Sequence, residues 1–153
     1  MSRHIDATRE DFIEKIGLIG QAEGLPRIAG RIFGMLMFDG DVVSFSDLSA
    51  KLSVSRASIS TSVRLLEERG LIKRTGKSGE RQDYFQLAPD AYATMLQGAQ
   101  RRSAIAKAEI DATIAELPAE MASHQRLVEY SNFYAAIDTG LATALTTLQS
   151  DGQ

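Results

Sequence analysis

The chain has no cysteine, which excludes disulfides, thiolate nucleophiles and cysteine metal sites. That absence fits a reducing compartment, and a cytoplasmic location is the expectation. Only two histidines occur, His4 near one end and His124 alone in a helical segment. Metal sites need three or four convergent ligands, so neither a metal nor another cofactor is expected. Long hydrophobic runs are also missing. The longest uncharged apolar stretch, Ile32 to Phe38, is far too short to cross a bilayer. Met1 to Asp6 holds no apolar core and no cleavage site, so no secretory signal and no membrane partner are expected. Serines are plentiful, but no histidine–carboxylate pair stands near one at a recognisable spacing. Thr75 to Gly79 contains Gly-Lys-Ser without the upstream glycine or strand-to-helix setting of a phosphate-binding loop. A binding protein is expected, not an enzyme.

What is present is an ordinary globular composition of 153 residues, 44% hydrophobic and 24% charged. The net charge of −3 conceals a segregation. Lys51 to Arg81 holds eight basic residues against Glu67, Glu68 and Glu80, a net of +5, which leaves −8 on the rest. A basic middle on an acidic body suggests a local surface for a polyanion.

Apolar spacing orders the chain into elements. Phe12, Ile16 and Ile19 predict one face of a first helix opening at Thr8 and stopping near Gly24. Pro26 suits a helix start, and Ile28, Ile32, Met35 and Leu36 follow at helical spacing. Gly30 and Gly34 lie four apart there; they either admit a second helix closely or merely weaken this one. Asp39-Gly40-Asp41 reads as a turn, and Val42 to Phe45 as a short β-prone piece. Ser46 is an N-cap candidate for a short helix carrying Leu48 and Leu52. Ser55 is the N-cap candidate for the next, with Ile59, Val63 and Leu66 inward and Gly70 at its end. Leu71 to Arg74 and Tyr84 to Leu87 read as two strands around a polar tip, Thr75 to Gln82.

Helix, short helix, tight turn, helix, strand, tip and strand form the order of a winged helix-turn-helix. In such a unit the second helix of the turn enters the major groove. With Ile59, Val63 and Leu66 inward, Arg56, Ser58, Ser60, Thr61 and Arg64 spread over the exposed sides. Short hydroxyls allow close approach to base edges or phosphates, and arginine can bind guanine bidentately. An ordinary solvated helix face is the plainer alternative for these residues taken alone.

Here a resemblance enters. Phe45 to Tyr92, with "RLLEERGLIKR" followed by a wing, resembles the DNA-binding core of the MarR superfamily of bacterial transcriptional regulators. Gly24 to Arg74 more closely resembles the GbsR-like branch. The likeness implies a homodimer on double-stranded DNA, with Ser55 to Arg64 reading the major groove and Arg81 of the wing reaching a minor groove. Two departures are visible. Glu80 directly precedes Arg81 where the family's wing has Asp-x-Arg, and Leu87-Ala88 replaces the usual Leu-Thr.

Beyond Pro89 two long apolar seams follow. The first runs Tyr92, Leu96, Ala99, Ser103, Ala106, Ile110 and Leu117, and Pro118 breaks it. The second runs Leu127, Tyr130, Tyr134, Ile137, Leu141, Leu145 and Leu148. Both are too apolar to be covered by a small middle domain, so they are expected to pack on each other and on a second copy. Tyr130, Phe133 and Tyr134 could cage a small-molecule effector, cationic or aromatic; core or dimer packing is the simpler reading.

The expected fold is therefore mainly α with a small β wing, a winged helix-turn-helix flanked by long N- and C-terminal dimerisation helices. Residues 1–23 form the N-terminal helix, assigned to the dimer region, and 24–88 the winged helix. Residues 89–149 form the helical dimerisation region, and 150–153 a frayed tail. The expected DNA contacts are Ser55, Arg56, Ser58, Ser60, Thr61, Arg64, Lys77 and Arg81. The rival expectation is a winged-helix protein-interaction module that does not bind DNA.

Overall fold

A computed structural model describes residues 2–151. The elements in order are α1 (Arg3–Ala22), α2 (Arg27–Asp39), β1 (Val43–Ser44), α3 (Phe45–Leu52), α4 (Arg56–Glu68), β2 (Ile72–Gly76), β3 (Asp83–Leu87), α5 (Ala91–Ala115) and α6 (Ala122–Asp151). The fold is mainly helical with a small antiparallel β wing between long helices. It divides into two compact units, one up to Ala91 and one from Tyr92 onward.

In the first unit each element contributes one apolar stripe to a common core. Ile32, Met35 and Leu36 come from α2, Leu48 and Leu52 from α3, and Ile59, Val63 and Leu66 from α4. Phe85 of β3, fully buried, closes that core from the sheet side. The sheet order is β1-β3-β2, with Val43 and Arg74 on either side of Phe85. The wing strands extend further than the apolar pattern predicts, so the tip shortens to residues 77–82. Gly79 turns the tip at φ 81°, a conformation that favours glycine.

Two helix starts differ from the sequence expectation. Ser44, not Ser46, caps α3: its Oγ accepts from the Asp47 amide at 3.1 Å. Ser44 also ends β1, so strand and helix share one residue. Helix α1 begins at Arg3 behind an Ser2 cap, five residues before Thr8. Its buried face is Ile13, Gly17 and Gly20, not Phe12, Ile16 and Ile19. The cause is backbone proximity. Gly17 and Gly20 face Gly30 of α2, Gly34 faces the Ile16 side chain, and a Cβ on Gly20 would stand 3.2 Å from the Gly30 Cα. The two glycines of α2 do admit a second helix. Phe12 is left half-buried against Phe38, and Ile19 stays exposed.

Ion pairs fasten the same helices. Arg9 donates to both carboxylate oxygens of Asp39, at 2.8 and 2.7 Å. Glu14 of α1 accepts Arg27 and lies 3.0 Å from Arg31 Nε, both on α2.

In the second unit, α5 and α6 are joined around Pro118 and linked by two buried serines. Ser103 Oγ donates to the Tyr134 carbonyl at 3.4 Å, and Ser131 Oγ to the Asp111 carboxylate at 2.5 Å. Lys107 also donates to Asp111, and these two bonds hold that carboxyl below its ordinary range. Much of the predicted seam is not covered: Tyr92, Tyr130, Ile137 and Leu148 are exposed. Of the tail expected to fray, Ser150 and Asp151 belong to α6, and Gly152 and Gln153 lie outside the described residues.

Candidate nucleic-acid interface

Helix α4 is built to show one polar face. Its start is fixed by Ser55, whose Oγ accepts from the Ser58 amide at 3.1 Å and donates to Ser58 Oγ at 2.9 Å. Ile59, Ser62, Val63 and Leu66 are buried. The 3.6-residue period then turns Arg56, Ala57, Thr61 and Arg64 outward, with Ser58 and Ser60 half-buried at the edges. Of the expected contact residues of this helix, Arg56, Thr61 and Arg64 are accessible, while Ser58 and Ser60 stand at the edges.

The two arginines are held differently. The Arg56 guanidinium stacks over the Phe45 ring, 4.9 Å from its centre, which orients it at the junction of α3 and α4. Phe45 escapes a reading of hydrophobic spacing, because it meets Arg56 across the turn. Arg64 has no acidic or aromatic partner among the described residues, so its five donors are free.

The wing supplies the second cationic patch. Lys77 Nζ stands 4.2 Å from the centre of the Tyr84 ring. The Tyr84 hydroxyl donates to the Glu80 carboxylate, and that bond pushes the phenol above its ordinary value. Arg81 is exposed at the tip, with no ion pair among the described residues. Gln82 ties the tip to α3 by accepting from the Ser46 amide at 3.4 Å.

Arg74 belongs to the basic stretch but is already engaged. It donates to Glu67 at 2.6 Å and to Asp83 at 2.7 Å, and its guanidinium lies 5.1 Å from the centre of the Phe85 ring. The Glu67 bond foremost raises the Arg74 pKa. Arg74 thus binds the wing to α4 and subtracts one cation from the surface.

One flank of α4 faces the start of α2 across a groove of about 290 Å³. It is lined by Pro26, Ile28, Ala57, Ser58, Thr61 and Ser62. Ser62 is invisible to a search for exposed polar residues, since it is buried and the groove exists only because α2 packs there.

In the second unit, Tyr130, Phe133 and Tyr134 do cluster on α6, with ring centres 5.1 to 6.3 Å apart. The Tyr130 and Tyr134 hydroxyls lie 3.2 Å apart, and this bond raises Tyr134. Tyr130 and Phe133 remain exposed. Among the described residues no three metal-ligating side chains converge, and no helix is long and apolar enough to cross a membrane.

Comparison with known proteins bears on this geometry. Residues 23–82 match the model of the MarR family. The chain is similar to the HTH-type transcriptional regulator MmpR5 of Mycobacterium tuberculosis, 37% identical over 84 residues, 54% of this chain and 51% of that protein. It is also similar to the HTH-type transcriptional repressor OpcR of Bacillus subtilis, 26% identical over 92 residues, 60% of this chain and 50% of that one. The chain spans about half the length of these curated relatives. A crystal structure of a transcriptional regulator superposes with a TM-score of 0.80 at 28% identity, covering 94% of this chain and 99% of its own. The matched segment and the fold together show a winged helix-turn-helix unit that is similar to the MarR family.

Proposed function

We propose that the chain is a sequence-specific, DNA-binding transcriptional regulator that acts as a homodimer on an inverted-repeat operator. The observation that carries this is the face of α4: Arg64, Thr61 and Arg56 point outward together, and Arg64 has no internal partner. Bases are read by guanidinium forks and short hydroxyls in the major groove, and this face carries both. In this reading Lys77 and Arg81 extend the contact to phosphates and to a minor groove. The resemblance of Gly24 to Arg74 supports the GbsR-like branch.

The exposed side of α6 supports the dimer. Tyr130, Phe133, Ile137 and Leu148 are large apolar residues left exposed at intervals that keep them along one side of the helix. A second copy covering that stripe removes it from water, and the aromatic trio then serves packing. Selection of genomic fragments with the purified protein, followed by anisotropy titration, tests the function. A recovered inverted repeat bound far more tightly than unrelated duplex is expected. Recovery of no sequence, with no retention on heparin at moderate salt, would leave a protein-interaction module instead.

A further inference from the structure

Helix α2 begins without a side-chain cap. Pro26 occupies the N-cap position, and its side chain has no group that can accept a hydrogen bond. The amides of Arg27 and Ile28 find no acceptor among the described residues, at the positive end of a 13-residue helix. A helix start of this kind is common and would mean little by itself. What adjoins it is unusual.

Ser62 lines the groove beside that helix start. It is 2% exposed, and its hydroxyl has no hydrogen-bond partner. With no bond inside the protein, this hydroxyl is left to bond what enters the groove. Ser58 lines the same groove one turn earlier. Its oxygen already accepts from Ser55, so its own proton is left to donate. Thr61 on the rim has no partner either. No carboxylate lines the groove. Three hydroxyls and the start of α2 at Pro26 and Ile28 therefore border one space, and an acceptor-rich anion suits such a set of donors. The groove also borders the exposed face of α4, where the backbone of a duplex entered by that helix must pass.

We propose that this groove clamps one phosphate of the DNA backbone through the Arg27 and Ile28 amides and the hydroxyls of Ser58, Thr61 and Ser62. The proposal rests on the DNA-binding reading above and deepens it. A phosphate held there fixes the depth and tilt of α4, so the clamp sets register and carries no sequence information.

Pro26→Asp tests it, because aspartate is a strong N-cap. The substitution supplies the missing cap while its carboxylate occupies the amides and repels phosphate. The melting temperature should hold or rise. Affinity for operator and for unrelated duplex should fall alike, by about tenfold or more, and the salt dependence should flatten by roughly one unit per subunit. Pro26→Ser, a neutral cap, should lose much less. Ser62→Ala removes an unpartnered hydroxyl, so the fold should be kept while both duplexes bind more weakly; it carries the test if Pro26→Asp does not fold. Folded variants that bind both duplexes like the parent, or that lose the operator alone, would overturn the clamp. A parent protein that binds neither duplex would instead overturn the DNA-binding reading, and the clamp with it.

Discussion

Gly30 of α2 and Gly17 of α1 touch backbone to backbone: a Cβ added at Gly30 would stand 2.8 Å from the Gly17 Cα and 2.5 Å from the Ile16 carbonyl oxygen. Neither neighbour is a side chain that can rotate away. Gly30→Ala should therefore destabilise the first unit. Alanine recovers about 1 kcal/mol of helix propensity, but overpacking costs roughly 1–3 kcal/mol and more where backbone must shift. Gly140 of α6 meets nothing within 4 Å, so Gly140→Ala should stabilise by about 0.5–1 kcal/mol. Urea unfolding of the two variants should move in opposite directions. A Gly30→Ala protein as stable as the parent would show that the helices do not approach as described.

The Arg9–Asp39 pair ties the same helices together. Both side chains are largely shielded, at 18% and 13% exposure, and the fork makes two hydrogen bonds. Those bonds hold the Asp39 carboxyl below its ordinary value. A lowered folded-state pKa means stability that is fully present above the unfolded value, about pH 3.9, and is lost as pH falls through the folded one. Asp39→Asn should cost about 1–3 kcal/mol at neutral pH, the cost of leaving a shielded charge half-satisfied. The gap between parent and variant should narrow only in strong acid. Acid titrations of the two proteins that run parallel down to pH 2 would refute the pairing.

These contacts mark how far the sequence could be read. Apolar period was enough for α2, α3 and α4, because Ile32, Leu48, Ile59, Val63 and Leu66 bury area at helical spacing. Ser55 was legible as a cap because a hydroxyl stands immediately before that pattern. The buried face of α1 was not, since glycines carry no hydrophobic signal and their value appears only when Gly17 and Gly20 meet Gly30. The state of Arg74 was hidden for another reason. A charge count cannot distinguish a free arginine from one closed by Glu67, seven residues away, and Asp83, nine away on the neighbouring strand. The exposed face of α4 was legible as a candidate site; the groove beside it needed α2 in place.

Arg64 and Arg74 should consequently behave as opposites. Arg64→Ala removes an outward guanidinium that nothing internal uses, so melting should be unchanged. Operator affinity should fall by about 1–3 kcal/mol if the contact is bidentate to a base. Arg74→Ala breaks the link between wing and α4, so melting should fall while the slope of log affinity against log salt stays put. Equal effects of the two variants on melting and on binding would erase the distinction between reading and bracing.

The spacing of half-sites tests the proposed dimer most directly. A two-fold protein presents two copies of α4, so it reads the same bases on opposite strands. Both copies enter successive major grooves on one face of B-DNA only if they stand about one turn apart, roughly 34–36 Å or 10–10.5 bp. Lys77 and Arg81 on each wing then lie outside the half-sites and lengthen the footprint. With three or four phosphates neutralised per subunit, log affinity against log salt should slope at roughly −5 to −7. About five base pairs inserted between half-sites turn one groove to the far side of the duplex, and affinity should collapse to the nonspecific level. A full inserted turn should restore little, because two recognition helices in a dimer of packed long helices cannot separate by a further 34 Å or so. A spacer series in anisotropy titration measures this. Indifference to spacer length would mean that the subunits bind independently, and a dimer held rigidly through α6 would be wrong.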